Sequence, residues 1–187
     1  MPVAGPVELL RQLAAQLEQC ELRWYLFGAQ AAVAYGRSRL SEDVDVTVEL
    51  GAMSSRDLVQ RLGAAGFTLM TGVDDEFIRQ TRVLPFQHQP TGIPLDIVLA
   101  GPGLEELFLG RARELDVGGI IVPVICPEHL IVTKVLAGRP KDQEDVRGIL
   151  LERGDELDIA EIRELLKALE IGMGQSDLLP LFERLLT

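Results

Sequence analysis

Two hydrophobic periodicities alternate along this chain and divide it into elements. From Val7 to Cys20 the apolar residues Leu9, Leu10, Leu13, Ala14 and Leu17 recur at helical spacing, which predicts an amphipathic helix. "LRWYLFG" is short, aromatic and aliphatic, and predicts a strand ending at Gly28. The alanine-rich "AQAAVAYG" that follows predicts a helix stopped at Gly36. Strict alternation returns in "SEDVDVTVEL", and a helix through "RDLVQRLGAAG" is capped by Ser54 or Ser55, with Leu58, Val59 and Leu62 as its apolar stripe. "EFIRQTRVLPFQ" and "IPLDIVLAG" flank the turn-prone Pro90–Gly92 and read as a hairpin, and "GGIIVPVI" reads as a further strand.

From there the pattern is helical. Pro127 opens and Gly138 closes a helix in "PEHLIVTKVLAG", and "DQEDVRGILLERG", "IAEIRELLKALEI" and "SDLLPLFERLL" supply three more. Their stripes, Ile159, Ile162, Leu165, Leu166, Leu169 and Leu178, Leu181, Phe182, Leu185, suit a core, with docking of a partner as the alternative. The expected class is α/β, a mixed β-sheet flanked by helices over residues 1–125, with a helical C-terminal segment over 126–187.

The alternating strand "SEDVDVTVEL" carries a problem in its polar half. Val44, Val46 and Val48 share one face, so Asp43 and Asp45 share the other. Their α-carbons are only about 7 Å apart in a strand, and two ionised carboxylates there repel unless a cation lies between them. Asp96 raises the same question inside the apolar "GIPLDIVLAG", because a lone buried carboxylate costs several kcal/mol unless it is paired or metal-bound. Three aspartates on adjacent strands would form an all-oxygen site suited to Mg²⁺, which keeps waters and accepts phosphate oxygens. Each acid also has a plainer reading, as a solvated residue or a partner of Arg37 or Arg39.

The surroundings of these acids suit phosphate. Gly28, between a strand and a helix, exposes backbone N–H groups and the positive end of a helix dipole. Ser41 shares the face of Asp43, and Arg37 and Arg39 lie in the loop leading to it, placed to pair with phosphate or with the carboxylates themselves.

Composition narrows the partners. The 187 residues are 47% hydrophobic and 25% charged, ordinary for a folded protein, and the net charge of −11 argues against long duplex DNA or an anionic membrane surface. Cys20 and Cys126 have no metal or redox spacing, no basic apolar leader is present, and no apolar run is long enough to span a bilayer. A cytoplasmic enzyme or binding protein is expected. His88 and His129 are too separated for a zinc site, and His88 is expected in an exposed turn.

The run Gly28, Ala31, Gly36, Arg39, Ser41, Asp43, Asp45 resembles the signature of the DNA polymerase β-like nucleotidyltransferase superfamily, G-[GS]-x-A-x4-G-x2-R-x-[ST]-x-D-h-D with h apolar. It is most similar to the small bacterial members, the minimal nucleotidyltransferases and the abortive-infection toxin type, and "PEHLIVTKVLAGRPKDQED" resembles the helical segment of the toxin-like branch. The resemblance implies that Asp43, Asp45 and Asp96 are catalytic and bind two Mg²⁺ ions, with Gly28, Ala29, Arg39, Ser41 and Lys134 contacting a nucleoside triphosphate such as ATP. The implied reaction moves a nucleoside monophosphate to a hydroxyl on a tRNA end, a protein or a small molecule. The toxin-like branch implies a toxin–antitoxin setting, with a small helical or antitoxin partner.

One position departs from the pattern. Ala29 stands where the family has Gly or Ser, so phosphate contact there would rest on backbone donors alone. This keeps open an alternative, a weakly active or inactive nucleotide-binding or interaction module of the same fold. Lys134 also reads as a lysine favoured by a helix C-terminus, and Asp142 and Asp145 in "RPKDQEDV" read as helix-capping acids.

Overall fold

In a computed structural model, the described residues are 5–36 and 43–186, and they form two compact units: 5–30 with 43–125, and 31–36 with 126–186. In the first unit, α1 (Pro6–Gln19) begins at a proline, which is preorganised for a first helical turn, and its stripe Leu9, Leu10, Leu13 and Leu17 is fully buried. Strand β1 (Arg23–Phe27) runs into α2 (Gly28–Ala34) without a loop. Strand β2 (Val44–Glu49) leads to α3 (Ser55–Ala64), whose first turn is capped by Ser54 Oγ accepting from the Asp57 N–H at 3.1 Å. Then follow β3 (Phe67–Leu69), α4 (Asp75–Thr81), β4 (Val83–His88), β5 (Ile93–Leu99), α5 (Leu104–Arg111), β6 (Arg113–Asp116) and β7 (Ile121–Val124).

The strands form one seven-stranded sheet in the order β3-β4-β5-β2-β1-β7-β6. It is mixed: β2 pairs with β5 and β1 with β7 in parallel, and the remaining neighbours are antiparallel. Alternation gives the two faces opposite characters. One face carries Trp24, Leu26, Val44, Val46, Val48, Leu84, Phe86, Leu95, Ile97 and Leu99, all buried, and it is the core of this unit. Each such side chain contributes about 1.5–3 kcal/mol on full burial. His88 lies on this face and reaches α1, its Nε2 hydrogen-bonded to Gln12 Oε1 at 2.9 Å. The other face carries Tyr25, Phe27, Asp45, Thr47, Asp96 and Val98. Near β1 it is covered by α5, whose Phe108 ring meets Tyr25 edge-on at 6.5 Å.

Several expectations change here. Residues 76–81 form most of α4 and not the start of a hairpin strand, because Asp74 caps that segment by accepting from the Phe77 N–H at 2.8 Å. The strand begins only at Val83. His88 is fully buried, not exposed in a turn, because its register with Ile93 puts it on the core face.

The second unit is built around α6 (Pro127–Ala137), buried along most of its length and packed against α7 (Pro140–Arg153), α8 (Ile159–Met173) and α9 (Leu178–Leu186). Gly138 ends α6 in the left-handed region, φ +64°, with its N–H bonded to the Lys134 carbonyl at 3.0 Å. Residues 31–36 join this unit through Tyr35, over whose ring the Arg153 guanidinium sits 5.3 Å from the centroid. No helix among the described residues is long and apolar enough to cross a membrane.

Candidate active site

The parallel ladder between β2 and β5 places Asp45 and Asp96 opposite each other. Residues paired in this way project to the same face, and neighbouring strands lie about 4.8 Å apart. Asp43 immediately precedes β2 and is exposed, two positions from Asp45. Its carbonyl accepts from the Gln30 side-chain amide at 3.5 Å, tying the entry of β2 to α2. Desolvation against the sheet, and secondarily the Asp43 charge, raise the Asp96 carboxyl above the usual carboxylate range. Asp43 is therefore within electrostatic reach of Asp96, and the two strands deliver their acids to a common place.

Gly28 explains how Asp45 fits beside β1. It follows Phe27, which pairs with Asp45 across the β1/β2 ladder, and its φ of +68° lies in the region that favours glycine. A Cβ on Gly28 would overlap the Asp45 carboxylate, Oδ2 first. Removing the side chain thus brings the backbone of the strand–helix turn directly against a site carboxylate. Ala29 is 9% exposed, so its methyl is packed inward.

The other expected residues divide. Arg39 and Ser41, with Arg37, lie outside the described residues. Lys134 belongs to the second unit and is buried, its Nζ 2.7 Å from Asp145 Oδ2 and 3.7 Å from Asp142 Oδ1. Asp142 in turn receives Arg139 Nε and Nη2, the latter at 3.2 Å. Asp142 and Asp145 are buried members of this ion cluster, not helix caps; the residue at the N-cap of α7 is Arg139, and no side chain caps that end.

The sequence reading missed the aromatic side of the site. Phe27 is half-buried next to Asp45, with the Tyr25 ring 6.2 Å away in an edge-on arrangement. Burial pushes the Tyr25 hydroxyl up to about 12, against the opposing effect of its hydrogen bond with Thr47. The parity that paired Asp43 with Asp45 also places Thr47 on this face, and it could have been read from the strand.

The donor set fits a hard divalent cation. Aspartate oxygens from two neighbouring strands match Mg²⁺, which binds through one or two carboxylates and completes its shell with water and substrate phosphate. Among the described residues no three His, Cys, Asp or Glu side chains gather into a ready-made cage. The residues that would hold the cation are Asp45 and Asp96, with Asp43 at the approach.

Comparison with known proteins gives the fold. The DUF2204 family, described as a nucleotidyl transferase of unknown function, matches residues 103–172, from α5 into α8. The solution structure of the antibiotic-resistance factor ANT(2'')-Ia is similar over 90% of this chain and 92% of its own, at 18% identity and a TM-score of 0.64. A crystal structure of ANT(2'')-Ia in complex with adenylyl-2''-tobramycin covers 89% and 98%, at 17% identity and a TM-score of 0.59. An antigenic nucleotidyltransferase-like protein from Paracoccidioides brasiliensis covers 94% and 91%, at 16% identity and a TM-score of 0.54. The curated proteins include no match. The mixed sheet is that of the nucleotidyltransferase fold.

Proposed function

We propose that this protein is a Mg²⁺-dependent nucleotidyltransferase that moves a nucleoside monophosphate from a triphosphate to a hydroxyl acceptor. The observation that carries the reading is the in-register pair Asp45 and Asp96 on parallel neighbouring strands, set against a glycine turn with no room for a side chain. The sheet-bearing unit is assigned the catalytic groups. The magnesium, when bound, supplies Lewis-acid stabilisation of phosphate charge.

The chain's own groups then have these tasks. Asp45 and Asp96 would hold the cation through their carboxylates, with Asp43 at its approach. Backbone N–H groups at Gly28 and Ala29 receive phosphate oxygens, and the resemblance assigns Arg39 and Ser41 to the same anion. The acceptor hydroxyl oxygen attacks the α-phosphorus in line, the bond to pyrophosphate breaks, and the hydroxyl proton passes to the Asp96 carboxylate. Positioning and charge neutralisation suffice for this chemistry. Lys134, held by Asp145 and Asp142, acts through the packing of its own unit.

The complex of ANT(2'')-Ia with adenylyl-2''-tobramycin supports this reading, and ATP is the donor to test first. The protein is incubated with Mg²⁺, α-labelled ATP and cell extract. Label transfer by the wild type and its loss in a folded Asp45→Asn variant support the enzyme. Nucleotide binding without transfer to any extract component identifies a binding module instead.

A further inference from the structure

Leu151, on α7, is the most exposed large apolar residue among the described residues, with 85% of its surface open to water. A single exposed leucine is ordinary on a folded chain, but this one stands on a ridge between two hollows of opposite charge. On one side a groove of about 640 Å³ runs between α7, the start of α8 and the end of α9, lined by Leu150, Ile159, Leu185 and Leu186 with Arg147 and Arg184 among them. On the other side a smaller hollow carries Glu152, Asp155 and Glu156, all exposed. Leu150, Leu151 and Gly154 border both. One surface of the helical unit thus has an apolar centre, a basic flank and an acidic flank.

The order of these groups along the chain is symmetric about Leu151. Arg147 precedes it by four residues and Asp155 follows it by four, and residues four apart share one face of a helix. Gly154, just past the end of α7, keeps helical angles, φ −51° and ψ −38°, and opens a 3₁₀ turn over Gly154–Glu156, so Asp155 continues the row. Each charge stands roughly 6 Å from Leu151 along the axis. Neither has an ion-pair partner among the described residues, whereas Glu156 in the same turn holds Arg153 at 3.1 Å. About a two-fold axis through Leu151, an antiparallel second α7 sets its Asp155 opposite Arg147 and its Arg147 opposite Asp155, with the two leucines meeting between them. A net charge of −11 repels two copies at long range, so they can meet only on a surface that brings its own cations, as this one does.

We propose that this surface is a homodimer contact, in which the α7 helices of two copies of this chain cross antiparallel at Leu151. The proposal concerns the helical unit and does not rest on the nucleotidyl-transfer reading. Leu151 of each copy leaves water against the apolar groove of the other, and two Arg147–Asp155 pairs close the contact at its ends. A contact built on one helix face lies at the small end of specific interfaces, so the dimer forms reversibly and with concentration.

The test is sedimentation velocity on the full chain without nucleotide, over a hundredfold range of concentration. The wild type is expected to pass from monomer to dimer, and to do so less readily at high salt. Leu151→Ser, at a position that gives little to internal packing, should raise the dimer dissociation constant at least tenfold with an unchanged circular dichroism spectrum. Arg147→Glu and Asp155→Arg should each do the same, because each sets like charges against each other across the axis. The double variant Arg147→Glu with Asp155→Arg should return to within threefold of the wild type. The two positions lie roughly 12 Å apart within one chain, so such recovery requires that they meet between copies. A wild type that stays monomeric throughout, a dimer insensitive to Leu151→Ser, or a double variant as weak as the single ones would each overturn the proposal.

Discussion

Aspartates are embedded in apolar elements in two regions of this molecule, and their surroundings give them opposite electrostatics. On α7, Asp142 and Asp145 are buried with the Lys134 ammonium between them and the Arg139 guanidinium on Asp142. In the sheet, Asp45 and Asp96 are brought into register by the backbone, and Asp96 sits in the field of another carboxylate, Asp43. The first arrangement neutralises charge from within the chain and so holds helices together. The second concentrates negative charge on a partly exposed face, which costs stability. Removing one charge should therefore produce different losses in the two places.

The largest effect is expected at the helical cluster. Lys134→Met leaves two buried carboxylates without their ammonium, and breaking a buried pair from one side costs about 3–5 kcal/mol. Urea unfolding should show that loss, and the double change Lys134→Met with Asp145→Asn should recover part of it. A Lys134→Met variant as stable as the wild type would mean that the cluster does not hold its unit together. The sheet acids should behave the other way. Asp45→Asn should lower nucleotidyl transfer by about 10²–10³-fold, the size of a lost transition-state electrostatic contact. Asp96→Asn should leave the melting temperature equal or higher, because it removes a charge that folding disfavours. A large drop in stability for Asp96→Asn would erase the contrast between the regions.

A smaller effect separates backbone from charge. Gly28→Ala adds a methyl at φ +68°, where a non-glycine residue costs roughly 1–2 kcal/mol, and that methyl collides with the Asp45 carboxylate. Thermal denaturation should show the destabilisation, and transfer activity should fall with Asp45 displaced. Unchanged activity would show that the close approach of turn and carboxylate has no part in the chemistry.

The two regions also differed in how far their sequence disclosed them. The alternation in "EDVDV" placed Asp43 and Asp45 on one face, and the apolar run around Asp96 marked a neighbouring strand, because a period of two acts locally. That Asp45 and Asp96 pair directly depends on a parallel register set far away in sequence, which no local pattern encodes. Lys134 looked like a C-terminal helix lysine because its helix position was legible while the acids of the next helix, folded back against it, were not. Strand β3 is three residues long and β6 reads "RELD", too short or too polar to announce themselves. In "EFIRQT" the β-prone Phe and Ile read as strand, while the Asp74 cap just before them went unread and decided the structure.

The smallest expected effect comes from the core face, and it tests whether the sheet's two sides are electrically distinct. His88 is fully buried, with Nε2 against Gln12 Oε1 and Nδ1 2.8 Å from Thr91 Oγ1. An amide oxygen accepts, so Nε2 carries a proton, and Nδ1 pairs with the threonine hydroxyl, an arrangement open to a neutral ring. Burial lowers its pKa, against the opposing charge of Glu8. The unfolded chain therefore takes up this proton first, near pH 6.5. His88 contributes its full stability above that pH and loses it as the pH falls from there through the lower folded value. Between pH 7.5 and 5.5 the wild type should lose more unfolding free energy than His88→Gln, with other titrating groups common to both. Parallel pH curves would mean that His88 enters the folded core charged, and that the core face is not the neutral counterpart of the carboxylate face.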